Sequence, residues 1–220
     1  MCILWRLSTR KTLVALTLLS LGGSACGGAA HSNPPIVQPG APGEPTQVIG
    51  PNAAVDMSRV GHTAADARFM QGMISHHAQA VEMTDLVGSR TASDAMRKLA
   101  ERIQVSQTDE ITMMERWLST RGEEVPPAHA HHAMGGTLMP GMLTPEEMSR
   151  LSAAKGREFD RLFLEGMIKH HEGALVMVKD LFATAGAAQE SDVFAFASDV
   201  DADQRAEIDR MRSMLKEYQQ

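Results

Sequence analysis

The chain has 220 residues, enough for one domain with a substantial core or for two small ones. A formal charge of −6, from 21 basic and 27 acidic side chains, supplies no basic face and argues against nucleic acid as a partner. Aromatic residues are few and methionines number 16, and the periodic segments are rich in Leu, Ala, Met, Glu and Arg, which favours helix over strand.

The chain opens with Arg6, Arg10 and Lys11, then a short apolar run from Leu13 to Leu21, too short to span a bilayer. Gly22, Gly23, Ser24 and Ala25 lead from it to Cys26. Residues 1–25 thus read as a signal peptide that resembles the lipoprotein type, with Cys26 as the lipidated first residue of the mature protein. Gly23 stands where such signals usually carry leucine, and ordinary secretory cleavage nearby is the alternative. Either way the protein is expected outside the cytoplasm, as a membrane-anchored lipoprotein or in periplasmic or secreted form. Cys2 leaves with the signal, so the folded part has no cysteine. That excludes a disulfide framework, a thiolate metal site and a cysteine nucleophile there, and leaves the methionine thioether as the soft ligand.

Residues 26–61 are dominated by Gly, Pro, Asn and Gln and read as a flexible tether. A domain over 62–220 follows. Its first helix is expected to start near Thr63, where Thr63 and Asp66 have capping-box spacing, and to stop at Gly88. A second starts at Thr91 or Ser93, carries Met96, Leu99, Ile103, Ile111, Met114 and Leu118 at helical spacing, and ends by Gly122. Residues 123–143 form a His- and Met-rich linker. Thr144, Pro145, Glu146 and Glu147 begin a short helix, bent at Lys155 and Gly156 into a long one that reaches about Ala185. The last helix begins near Ser191 and reaches Tyr218.

One stretch occurs twice. Phe69, Met70, Gly72, Met73, Ile74, His76, His77, Ala80 and Met83 align without a gap on Phe163, Leu164, Gly166, Met167, Ile168, His170, His171, Ala174 and Met177, with Asp66 and Asp160 at the same offset before them. Gln107, Glu110 and Met114 likewise match Gln204, Glu207 and Met211. The chain therefore reads as two homologous hairpins, about 62–122 and 144–218. Four amphipathic helices bury their stripes most simply as an all-α four-helix bundle.

At about 100° per residue, Asp66, Met70, Met73, His77 and Val81 share one stripe, as do Asp160, Leu164, Met167, His171 and Val178. That places His77 and His171 toward the bundle centre and His76 and His170 at its edge. Gln107, Glu110, Gln204 and Glu207 fall at core-like positions, and a buried polar side chain needs a partner. They are expected to meet the histidines, as bonding partners or behind a bound metal, with Asp66 and Asp160 as further outer candidates.

Met114, Met211 and Met214 read as core filler. Met70, Met73, Met83, Met167 and Met177 are equally ligands or filler, and the four paired histidines are the favoured ligands. Thioether favours Cu(I), and imidazole suits Cu, Zn, Ni and Fe, so a cysteine-free His/Met set in an oxidising compartment points to copper before zinc or iron. A di-iron oxidase needs Glu-x-x-His on two helices, and no Glu lies three residues before a histidine of either pair. His129, His131, His132, Met134, Met139 and Met142 of the linker form a secondary, looser candidate site.

The repeated Phe-x-x-Gly-Met-Ile-x-His-His, together with Met139-Pro140-Gly141-Met142, Thr144-Pro145-Glu146-Glu147 and Phe159-Asp160-Arg161, resembles the bacterial domain-of-unknown-function 305 family over about 62–218. The resemblance implies a secreted or lipoprotein ferritin-like bundle, some members of which are linked to copper binding and resistance. Leu164, where the first copy has Met70, makes the half-sites unequal. The leading function is thus an extracytoplasmic copper-binding protein that buffers, stores or passes on the metal, without catalytic residues. A ferritin-like redox metalloenzyme and a metal-free structural or partner-binding bundle are the alternatives. The partners implied are a metal ion, the membrane through the N-terminal lipid, and a copper-handling protein or further copies of the chain.

Overall fold

The computed structural model describes residues 36–38, 47–49, 61–127 and 138–218. The signal peptide, Cys26 and the linker residues His129, His131, His132 and Met134 lie outside the described residues. The chain divides into two units, Met1–Asp56 and Met57–Gln220. In the first, strands β1 (Ile36–Gln38) and β2 (Gln47–Ile49) pair antiparallel, with Ile36 opposite Ile49. Part of the expected tether is therefore a short hairpin, built from the Ile and Val residues that lie among its Pro and Gly.

Helices are the regular elements of the second unit's described residues. Helix α1 (Ala64–Asp85) starts at a complete capping box between Thr63 and Asp66. A single turn, α2 (Val87–Arg90), follows, so the chain stays helical through Gly88 instead of stopping there. Ser93 caps α3 (Asp94–Thr120), which ends at Gly122 with φ +73°. Thr144 caps α4 (Pro145–Ala153) with a second capping box through Glu147. Helices α5 (Gly156–Ala183) and α6 (Ser191–Tyr218) complete the unit.

Helix α1 packs along α3, α5 packs along α6, and α1 meets α5. Met177 lies against Gly72 and Met83 against Gly166, so α1 and α5 run antiparallel and their repeats face each other. The apolar core falls into two clusters. One holds Met70, Met73, Met114, Trp117, Phe196 and Val200. The other holds Met83, Met96, Ile103, Phe163, Met167 and Met211. Between them lies a layer of buried polar side chains from all four long helices.

Candidate metal centre

The polar layer is built from the paired histidines. His76, His77, His170 and His171 are all fully buried. The rings of His76 and His170 meet with centroids 3.9 Å apart. His77 lies 6.4 Å from His76, and His171 lies 6.1 Å from His170. The row is closed at both ends by carboxylates: His77 Nε2 to Glu110 Oε2 is 2.5 Å, and His171 Nε2 to Glu207 Oε2 is 2.6 Å. A continuous line thus runs from α3 through α1 and α5 to α6, nearly identical in its two halves.

The structure exchanges the roles expected for the two histidines of each pair. His76 and His170 meet at the α1/α5 contact, while His77 and His171 point back to their own hairpin partners. The reason is geometric. A helix in a square bundle has two neighbours roughly a right angle apart, and successive residues differ by about 100°. Adjacent histidines can therefore serve both neighbours, and neither needs to lie at an edge.

Ring protonation follows from the acceptors. His170 Nε2 lies 2.9 Å from the His76 carbonyl, and His76 Nε2 lies 3.0 Å from the Pro140 carbonyl. A carbonyl oxygen only accepts, so both Nε2 atoms carry hydrogen. His77 and His171 donate Nε2–H to carboxylates in the same way. In the neutral rings Nδ1 is then the lone-pair nitrogen, and for His77, His170 and His171 this buried atom has no protein partner. Such an acceptor costs about 1–3 kcal/mol if nothing meets it. Burial, and then the positive charge that His76, His171 and His77 would carry, holds the His170 pKa well below its ordinary value. His170 is therefore kept neutral, as a ligand imidazole must be.

Gln107 and Gln204 are each 2% exposed and belong to the same layer by position, with their Oε1 atoms unpartnered. Met73 and Met167 stand four residues before His77 and His171, on the same helix faces. Both are fully buried, as are Met70 and Met83, while Met177 is partly buried against Gly72. Asp66 and Asp160 do not belong to the layer. Each stands ten residues before the first histidine of its helix, about 15 Å along the axis. Asp66 is taken up by the Thr63 cap and by the backbone N–H of Ala188 at 2.7 Å, and Asp160 accepts from the Tyr218 hydroxyl at 2.9 Å.

A strap covers the α1/α5 side of the row. Besides the Pro140 carbonyl on His76, Gln79 makes a two-way clamp on Leu143: its Nε2 donates to the carbonyl at 3.0 Å, and its Oε1 accepts from the N–H at 2.7 Å. Gly141, at φ +75°, lies against the backbone of Gly173 and Lys169, where neither glycine has room for a Cβ. Of the linker's candidate ligands, Met139 brings its sulfur to the surface of α1 at Gly72, and Met142 is buried. Gln79 and Gly173 were not singled out by sequence reasoning. They occupy equivalent places in the repeat, three residues after its first histidine, and are among the positions where the copies differ.

Among the described residues, no three His, Cys, Asp or Glu side chains stand together as a ready ligand set. The lone-pair nitrogens and thioethers fit a mixed His/Met site better than one made of histidine and carboxylate alone.

Residues 66–215 match the model of the domain-of-unknown-function family DUF305, and the chain belongs to that family. It is similar to the structure of a putative secreted DUF305 protein from Streptomyces coelicolor, with 32% identity and a TM-score of 0.61 over 70% of this chain and 93% of that one. A DUF305 fragment from Deinococcus radiodurans is 30% identical with a TM-score of 0.61, over 71% and 98%. CopM in its Cu(II)-bound form is 25% identical with a TM-score of 0.56, over 70% and 97%. No curated protein matches the chain.

Proposed function

We propose that this protein is an extracytoplasmic copper-binding bundle that buffers or stores the metal, with the histidine layer as its centre. The observation that carries the reading is the set of buried imidazole Nδ1 atoms on His77, His170 and His171, left without a protein partner while each ring's Nε2 is bonded elsewhere. A ligating histidine commonly donates its other nitrogen to a carboxylate or carbonyl, the role Glu110, Glu207 and two backbone carbonyls fill here. His77, His170 and His171 would hold copper through Nδ1. Met73 and Met167, one turn away, would supply soft donors for Cu(I), with Met70, Met83, Met177 and Met139 on the flanks. Copper, as cargo, would replace the hydrogen bonds these atoms lack. CopM, which shares the fold, is known with Cu(II) and with silver bound.

The signal-like start and the likeness to a putative secreted protein support work outside the cytoplasm, and no helix of the described residues is long and apolar enough to cross a membrane. Cys26→Ser should move the protein from the membrane fraction to the soluble one if Cys26 carries the lipid.

The decisive test is competition against a chromogenic chelator in each oxidation state, with circular dichroism to confirm folding. Replacing all four histidines with alanine should abolish the tightest Cu(II) binding, and His77→Gln with His171→Gln serves if that variant does not fold. Met73→Leu with Met167→Leu, close in volume, should weaken Cu(I) binding selectively. Folded histidine variants that bind both ions as the wild type does would assign binding to the linker histidines, and a wild type that binds neither ion would leave a metal-free bundle.

A further inference from the structure

On the outer side of the second hairpin, α5 and α6 leave an open groove lined by Leu175, Val176, Lys179, Phe182, Asp201 and Arg205. Val176 is 44% exposed and Phe182 43%, and Phe194, at 55%, meets Phe182 edge-on with ring centroids 5.7 Å apart. Val105, Val125 and Leu138, the other exposed large apolar side chains among this unit's described residues, lie on other segments. Scattered apolar residues are ordinary on a protein surface, whereas a contiguous apolar patch marks a contact. The repeat supplies its own control. The offset that carries His76 onto His170 carries Glu82 onto Val176, Asp85 onto Lys179 and Gly88 onto Phe182. The offset that carries Gln107 onto Gln204 carries Arg97 onto Phe194 and Gln104 onto Asp201. In the first hairpin Gln104 Nε2 donates to Asp85 Oδ1 at 2.7 Å, a polar bridge between the two helices. In the second that bridge is missing: Asp201 accepts from Arg205 in two bonds of 2.8 Å, and Lys179 forms no ion pair among the described residues. The same face is thus polar and bridged in one hairpin, apolar and open in the other.

We infer that the α5/α6 face is the contact by which two copies of this chain pair about a twofold axis, with Phe182 of each copy packed on Phe194 of the other and Lys179 meeting Asp201. Charge selects a second copy as the occupant. A twofold surface must complement itself. This groove carries an unpaired ammonium on α5 and, on α6, a carboxylate whose side chain stays 37% exposed and can accept a further donor. An axis running along the groove lays α5 of one copy on α6 of the other at the same height. The four aromatic rings then form one cluster, flanked by two Lys179–Asp201 pairs. Three exposed apolar side chains per copy fall short of the ~1,200–2,000 Å² that a stable interface buries, so the dimer is weak and forms as concentration rises. The pairing uses no residue of the histidine layer and stands apart from the copper reading.

The test is sedimentation equilibrium of the chain carrying Cys26→Ser, so that no lipid drives association, from about 10 μM to 1 mM. This parent should pass from monomer toward dimer over that range. Adding Phe194→Ser should raise the dissociation constant about tenfold or more, whereas Val105→Ser, a like change at an exposed residue of α3, should leave it unchanged. Circular dichroism confirms that each variant is folded. Two charge variants tie the contact to a second copy. Lys179→Glu and Asp201→Lys should each self-associate less than the parent, because each sets like charges opposite one another twice. Their equimolar mixture should recover the dimer, because every facing pair is again of opposite sign. A parent that stays monomeric to about 1 mM overturns the pairing and leaves the face to a different partner. A dimer that survives Phe194→Ser, or that the mixture does not restore, places the contact elsewhere and overturns it equally.

Discussion

The two hairpins share their carboxylate–histidine contacts and differ in what covers them. Glu110–His77 and Glu207–His171 repeat to within 0.1 Å. Three residues past the first histidine, however, α1 carries Gln79, which grips the strap through two hydrogen bonds, and α5 carries Gly173, which makes room for the strap's backbone. A duplicated bundle with one linker cannot stay symmetric on the face the linker crosses. The carboxylate-held ends of the row stayed equivalent, whereas on the strap side His76 bonds the Pro140 carbonyl, His170 bonds the His76 carbonyl, and Gln79 and Gly173 meet the strap in different ways. The strap is thus part of the centre, whereas the histidines of residues 129–132 precede it.

The strongest break in this comparison is Gly173→Ala. In a helix interior the change normally stabilises by about 0.5–1 kcal/mol. Here the new Cβ meets the Pro140 carbonyl, backbone against backbone, so a net loss of about 1–3 kcal/mol is expected by denaturant titration. A gain in stability would mean that the strap is not seated on α5.

Gln79→Ala removes both strap bonds and leaves the buried Leu143 N–H and C=O unpaired, at about 1–3 kcal/mol. Faster hydrogen exchange at Leu143 in this variant is the specific sign of strap release. Deleting residues 129–136 should leave that exchange unchanged, because the deletion stops short of the strap.

Acid should weaken the layer. His170 is depressed in the fold, so between its unfolded value near 6.5 and its lower folded value the unfolded chain binds the extra proton. The stability from neutral His170 is present above about pH 6.5 and is lost as pH falls through that window. His170→Gln should flatten the pH profile measured by thermal melts. An unchanged slope would place the acid sensitivity elsewhere.

Glu110→Gln and Glu207→Gln probe the part the hairpins share. Each should cost about 0.5–1.5 kcal/mol, and the two values should agree. A marked difference, tested by double-mutant cycles with His77 and His171, would show that the strap's asymmetry reaches the row. The smallest effect is expected at the exposed α5 pair Arg161 and Glu165, 2.7 Å apart, where a cycle should read about 0–1 kcal/mol and fade with salt.

Much of the architecture was legible in the sequence. Thr63, Ser93 and Thr144 mark helix starts because a capping side chain bonds backbone within its own turn. The in-register repeat announced two hairpins, and Gln107, Glu110, Gln204 and Glu207 at core positions announced a buried polar layer. All of these are local or periodic signals. Three features needed the tertiary structure. Which histidine of each pair faces its twin depends on where α1 and α5 cross, and a one-helix stripe cannot separate two neighbours a right angle apart. Asp66 and Asp160 shared the histidines' stripe but lie too far along the axis, and their bonds go to Ala188 and Tyr218, which sequence spacing does not connect to them. Pro140, Gly141 and Leu143 read as irregular linker, and only folding brings their backbone atoms onto His76, Gly173 and Gln79. Residue type and period set which faces are buried, whereas the pairing of those faces is a long-range choice made by packing.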